Sequence, residues 1–540
     1  MQVSNREFHL DKQTVVFFLI IGLLAIGGIW ALAYSTPNGL GLNDDSIAYI
    51  AGARSIMNGN GYRAAWLASN GPVTHFPPGF SAVLAFIGLV TGLDPVRGAR
   101  ALNGLLFGLN IVLTGWVGWR MTGSRFAGVI ASALTLLSSS LLYIHTRAMS
   151  EPLYLFLMLV SFLLLDYYFN HSRYLLKKKG KVDNSPHPDL LRGYHSRNYL
   201  LVMLGFTLGW AYLARYAAIS LLATMITVLF VLHESWRERL RSVLILSLSA
   251  FPWILGWSVR NRVVGGSFTN RVLGWHPITL ENWELGIKTF AEFFAPLRSV
   301  RRELNQSPLS FENILITIGL ILVIWVLYKG LPYLVRPDQA AKLDVLIFTN
   351  ALYVIAYMSV LVLTMTLFDP ATKFQVRILS PTFISLILLS MVFGTWLWRK
   401  KQVFWKPVIV LSAVGLLSMF ASGQVIAVQD FRKGGDAFAS ERWSASEAIA
   451  ALETIPPDVL ILSNEPGVVY LYTGRPSGVL PKTEPGITDI KKPVLDGEIV
   501  IVLFRVNRAH PDMMDYYRQL GTGLYQTDFS HTWIFSAFPE

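Results

Sequence analysis

Long apolar runs recur along the first four-fifths of the chain, separated by short polar segments. A helix needs about 20 mostly apolar residues to cross a hydrocarbon core of roughly 30 Å. Stretches of this kind lie near 14–34, 98–119, 126–143, 152–168, 199–214, 217–232, 242–259, 312–331, 344–366, 380–398 and 407–427, which predicts eleven spans. The first is too long for a signal-peptide core, and no small-residue cleavage site clearly follows it, so it reads as a retained span. The run 79–93 is short, follows Pro77-Pro78 and contains several Gly. It predicts a helix lying in the membrane interface. From about residue 428 the pattern changes. Asp458–Ser463 and Glu498–Phe504 are continuous apolar runs bounded by turn residues, as expected of buried strands. Two terminal strands are expected around Phe529 and Trp533, and helices over Trp443–Leu452 and Pro511–Leu520. The expectation is an α-helical polytopic membrane domain over 1–427 and a small α/β domain over 428–540.

Composition agrees. Of 540 residues, 53% are hydrophobic and 15% charged, against about 25% charged in soluble proteins; the mean hydropathy is +0.45. This excludes a soluble enzyme, a nucleic-acid-binding domain and a disordered tail. The 16 Trp suit a chain with many membrane–water interfaces. The net charge of +12 must first be divided by side of the membrane. With the N-terminus inside and 79–93 not crossing, the short inner segments hold 21 of the 46 Lys and Arg, including Lys177–Lys179. The longer outer loops hold 15 and the tail 10, which satisfies the positive-inside rule. If 79–93 crossed, every later loop would change sides and the Lys177–Lys179 cluster would lie outside. Eleven spans therefore place the protein in the cell plasma (inner) membrane, multi-pass, with a cytoplasmic N-terminus and an extracytoplasmic C-terminal domain. That domain carries 10 basic and 15 acidic residues. The lipid bilayer is an implied partner and nucleic acid is not. The absence of Cys removes disulfides, thiolate nucleophiles and Cys-ligated metals.

Ionisable groups inside or against a membrane are costly, so those on the outer side are informative. Asp44 and Asp45 follow the first span and precede an amphipathic stretch containing Tyr49 and Arg54. They read either as a solvated pair or helix cap, or as catalytic acids. Glu151 stands in Ser150-Glu151-Pro152 on the same expected side, where a first-turn acid before Pro also suits a helix start. Arg215, Arg260 and Arg377 oppose the charge bias. Each could be a snorkelling anchor. Together, near outer carboxylates, they suggest an anionic ligand, because the planar guanidinium binds phosphate oxygens in pairs.

In order, the motifs are Asp45-Ser46 with Tyr49 and Ala53, Gly59 and Gly61-Tyr62, Phe76-Pro77-Pro78-Gly79, Ser150-Glu151-Pro152, Leu213-Ala214-Arg215-Tyr216, Arg260-Asn261 and Arg377-Ile378-Leu379-Ser380-Pro381. The chain resembles the GT-C membrane glycosyltransferases, in the group of protein O-mannosyltransferases, aminoarabinose transferases and their bacterial relatives. The resemblance covers about residues 14–400. It implies the GT-C fold, with juxtamembrane helices such as 79–93, and transfer of a sugar from a polyprenyl-phosphate donor in the outer leaflet to an acceptor hydroxyl, with inversion. The acceptor would be a glycan, a lipid or a protein. Asp45 corresponds to the general base, with Asp44 as the alternate. Glu151 corresponds to a second acid that orients the acceptor or binds a divalent cation (Mg or Mn). No metal-ligand spacing is seen. Arg215, Arg260 and Arg377 would bind the donor phosphate, and Tyr49, Arg54, Tyr62, His75 and Asn261 would line the substrate path.

Two other classes compete. A flippase or transporter of lipid-linked sugars would carry charges along a central path. The spans are poor in mid-helix charge, with Asp166 and Asp344 near inner ends, and no inverted repeat is visible. A non-catalytic scaffold would use the tail as its binding part.

Overall fold

The computed structural model describes all residues except 1–10, 180–187, 269–270, 307–310, 336–343, 401–404, 482–483, 506–524, 530–531 and 538–540. Helices α1 (Lys12–Ser35), α2 (Asp44–Met57), α3 (Gly79–Thr91), α4 (Pro95–Thr122), α5 (Arg125–Leu137), α6 (Ser139–His145), α7 (Glu151–Lys179), α8 (Pro188–Ala214) and α9 (Ile219–Leu232) come first, a short 3-10 turn Tyr216–Ala218 joining the last two. Next are α10 (Trp236–Gly265), α11 (Leu280–Phe294), α12 (Arg298–Gln306), α13 (Phe311–Val335), α14 (Val345–Leu367), α15 (Val376–Arg399) and α16 (Trp405–Gly434). The tail runs α17 (Glu441–Ser444), α18 (Glu447–Leu452), β1 (Leu460–Ser463), α19 (Pro466–Thr473), β2 (Gly478–Val479), α20 (Glu484–Leu495), β3 (Ile499–Phe504), β4 (Tyr525–Phe529) and β5 (Thr532–Ser536). The expected helix Pro511–Leu520 lies outside the described residues.

Two compact units emerge. The first comprises 1–35, 101–146 and 150–430; the second 36–100, 147–149 and 431–540. This differs from a division at 427/428. Residues 36–100 group with the tail because they carry apolar side chains of their own that need a partner: Leu40, Leu42, Ile47, Ile50 and Val73 are all buried.

In the first unit, among the described residues, eight helices are long and apolar enough to span: α1, α4, α7, α10, α13, α14, α15 and α16. The pair α5–α6 is bent by 62° and counts as a ninth if it is one broken span. The remaining two expected stretches, 199–214 and 217–232, are the end of α8 and the short apolar turn plus α9. Small residues let helices approach: Ser132 Oγ of α5 donates to the Ile111 carbonyl of α4 at 2.9 Å. Inside this unit Arg120 Nε, in the last turn of α4, donates to Asp166 in the middle of α7 at 2.7 Å.

In the second unit a mixed sheet has the order β2-β1-β3-β5-β4. β1 is parallel to β2 and β3, whereas β5 is antiparallel to β3 and β4. Leu462, Leu480, Val494, Ile501, Leu503 and Phe535 form its core. The segment between α2 and α3 joins this sheet's edge: Ser477 donates to Trp66 and accepts from Ala68, at 3.1 and 3.0 Å. Helix α3 rises about 20 Å, too short for a span. It buries Phe80 and Leu84 and exposes Phe86, Leu89 and Val90. That two-faced pattern suits a helix lying in the interface.

Candidate active site

In the second unit, Asn43 caps α2, its Oδ1 accepting from the Ser46 amide and hydroxyl at 3.0 and 2.9 Å. Asp44 and Asp45 therefore sit in the first turn, where the helix dipole favours carboxylates. The chain leaves α2 through Asn58 and Gly59, whose φ of 77° suits Gly. Asp44 is exposed, yet nearby packing strips part of its water shell. That dehydration first, and the adjacent Asp45 charge second, push its pKa up, with Arg505 opposing. Arg54 closes the helix with a two-pronged pair to Asp94, at 2.8 and 3.1 Å, and its guanidinium lies 5.5 Å over the Tyr470 ring. Tyr49 is buried, edge-on to Phe76 and Phe80 at 5.5 and 5.4 Å. Tyr62 is buried too, whereas His75 is exposed and meets Phe76 edge-on.

In the first unit, Glu151 opens α7 and forms an ion pair with Arg215, which follows α8. Glu151 is 2% exposed and the Arg215 side chain 16%. The Glu151–Arg215 pair joins the start of α7 to the end of α8, and side chains of α10, α14 and α15 follow on from it. Tyr216 receives the Trp257 indole N–H at 2.9 Å, and the Arg260 guanidinium lies 4.8 Å over the Trp257 ring. Arg260 also donates to the buried Asn261 at 3.1 Å. Tyr357 donates to the Ile378 carbonyl at 2.6 Å, next to Arg377, and lies within electrostatic reach of Arg215 and Glu151. Tyr154 and Tyr353 share a hydrogen bond of 2.8 Å beneath them. The unit thus gathers Glu151, Arg215, Arg260, Asn261 and Arg377 on one face.

Sequence reasoning missed several residues. Arg271 pairs with Asp369 at 2.9 Å on the first unit's face. Glu465 and Arg505 lie near Asp44 in the second unit. Glu465-Pro466 at the start of α19 repeats the Glu151-Pro152 pattern, and that signal could have marked it. Nothing local marks Arg505. For a divalent cation, no group of three or more His, Asp or Glu able to hold a metal occurs among the described residues, and Glu151 is taken by Arg215. The donor set does not fit a metal there.

No protein-family model matches the sequence, and no curated protein does. Solved structures share its fold. ArnT from Cupriavidus metallidurans bound to undecaprenyl phosphate is 14% identical, covering 98% of this chain and 99% of that chain, with a TM-score of 0.53. The archaeal oligosaccharyltransferase AglB from Archaeoglobus fulgidus, in complex with an inhibitory peptide and a dolichol-phosphate, is 12% identical, covering 98% and 75%, with a TM-score of 0.54. The shared architecture is the polytopic α-helical GT-C fold, and it extends over nearly the whole chain.

Proposed function

We propose that the protein is an integral-membrane glycosyltransferase that moves a sugar from a polyprenyl-phosphate donor to an acceptor hydroxyl on the extracytoplasmic face. The observation that carries this reading is the buried Glu151–Arg215 pair, with Arg260 and Arg377 on the same face of the first unit. Solved proteins of the same fold bind undecaprenyl phosphate and dolichol-phosphate, which supports a lipid-phosphate donor. Asp45 is the proposed base. An acceptor hydroxyl is a poor nucleophile until a carboxylate takes its proton in the transition state. The acceptor oxygen attacks the anomeric carbon, the bond from that carbon to the phosphate oxygen breaks, and the electron pair leaves with the phosphate. Arg215, Arg260 and Arg377 would stabilise that growing negative charge. Glu151 holds Arg215 in place. No step is routed through a metal.

The test uses the full chain in nanodiscs with a labelled sugar on undecaprenyl phosphate and a membrane glycan extract as acceptor. Asp45→Asn is expected to lower product formation by about 10²–10⁴-fold while the protein stays folded and undecaprenyl phosphate still raises its thermal midpoint. Normal transfer by that variant overturns the role of Asp45. Movement of the lipid-linked sugar across liposomes without product overturns the transferase and favours a transporter.

A further inference from the structure

The tail delivers a cation and a third acid to the head of α2. Helix α19 packs on α2 within the second unit. Gly467 lies against Ile47, where an added Cβ would come within 3.2 Å of Ile47 Cγ1, and the Tyr470 ring faces Arg54. The two helix starts meet in register, because Asp44 is one turn before Ile47 and Glu465 is two residues before Gly467. Arg505 follows β3 with φ of 55°, a region sparsely populated by residues other than Gly and kept only where the surroundings enforce it. Three contacts enforce it here. Asn464 clamps the end of β3 to the β1–α19 loop, exchanging 2.8 Å hydrogen bonds with the Phe504 carbonyl and amide. The Arg505 guanidinium rests over the rings of Trp443 and Phe438, at 5.0 and 5.7 Å. Its Nη1 stands 3.7 Å from Glu465 Oε1. Asp44, Glu465 and Arg505 are within electrostatic reach of one another.

Building on the transferase reading, we infer that Arg505 is a positioning residue for the Asp44–Asp45 acid pair. Held by its aromatic pair and Glu465, it is the fixed positive charge that keeps the head of α2 able to carry negative charge. Asp44 on α2 and Glu465 on the β1–α19 loop lie within electrostatic reach of Arg505, and Asp45 adds its charge beside Asp44. Without it, like charges push a proton onto Asp44. A purely structural ion pair of this exposure would contribute little, and its role would end at holding the tail together.

The experiment follows the protonation of Asp44 directly. Full-length protein in nanodiscs is treated at pH 7 with dicyclohexylcarbodiimide, which adds to protonated carboxyl groups, and labelled Asp44 is quantified by mass spectrometry. Arg505→Gln is expected to raise Asp44 labelling several-fold at an unchanged thermal midpoint, whereas Arg505→Lys keeps the charge and stays near the wild-type level. In the transfer assay the acid limb of the Gln variant's kcat–pH profile is expected to move to higher pH, with kcat above that limb and KM little changed. Unchanged labelling in folded Arg505→Gln, or Arg505→Lys behaving as Gln does, overturns the inference. If Arg505→Gln does not fold, Arg505→Met serves instead: it keeps an apolar stem against the Trp443 and Phe438 rings, removes the charge and should raise Asp44 labelling, and unchanged labelling overturns the inference. Because labelling needs no sugar, the inference can hold where transfer fails, and fail where transfer holds.

Discussion

Breaking the Glu151–Arg215 pair should destabilise the first unit strongly, and removing both charges together should not. Glu151 is 2% exposed and its partner 16%, so neither charge has much water to fall back on. Removing one member of such a pair leaves the other uncompensated and costs about 3–5 kcal/mol, roughly 10²–10⁴ in the folding equilibrium. Arg215→Met leaves a buried carboxylate, which can limit the cost by taking up a proton. Glu151→Met leaves a guanidinium, which cannot shed one. The Glu151→Met variant is therefore expected to be the worse of the two. The double variant Glu151→Met/Arg215→Met replaces the pair by apolar groups of similar length and should fall within about 1 kcal/mol of wild type or exceed it. The assay is equilibrium unfolding in mixed micelles of rising SDS fraction, followed by tryptophan fluorescence, with all four proteins forming a double-mutant cycle. A coupling of several kcal/mol is expected, together with loss of transfer in the double variant despite its recovered stability. Single variants each costing less than about 1 kcal/mol, or losses that simply add, would refute a buried, coupled pair.

Three further outcomes are expected. Gly128→Ala should cost about 1–3 kcal/mol, because its Cβ would sit 2.6 Å from the Gly115 carbonyl oxygen and 2.9 Å from the Phe17 ring; the same unfolding assay checks it, and a neutral result means that α4 and α5 are less close. Phe535→Ala, at a fully buried position of β5, should cost about 3–5 kcal/mol and speed amide exchange in β3 and β5, whereas unchanged exchange would contradict the sheet core. Asp44 and Glu465 both have pKa values raised, first by loss of water and then by neighbouring carboxylates, from ordinary values of 3.8 and 4.5. A raised folded-state value favours the protonated form, so this contribution is complete below those ordinary values and is lost as pH rises through the raised ones. The thermal midpoint of Asp44→Asn/Glu465→Gln should accordingly fall less than that of wild type between pH 4 and pH 8, and identical slopes would rule these groups out as the cause.

The membrane part was legible because its causes are local. Hydrocarbon thickness sets how long an apolar run must be, and each of the eleven runs is helical. The strands over 460–463 and 499–504 followed equally from unbroken apolar stretches between turn residues, and β4 and β5 lie where two terminal strands were expected, around Phe529 and Trp533. Asp45, Glu151, Arg215, Arg260 and Arg377 stood out one at a time, since a charge beside a membrane needs a reason wherever it occurs.

Pairing was decided by the tertiary structure alone. That Glu151 meets Arg215, 64 positions later, and that Arg505 comes to Asp44 from the far end of the chain, depend on helix ends and loops brought together by burial. The same holds for residues 36–100, whose polar and apolar mixture reads as a loop until the tail supplies the surface against which its apolar side chains are buried. A sequence states the sign of each charge and the greasiness of each segment. Which opposite charge answers it is set by distances that no local pattern encodes.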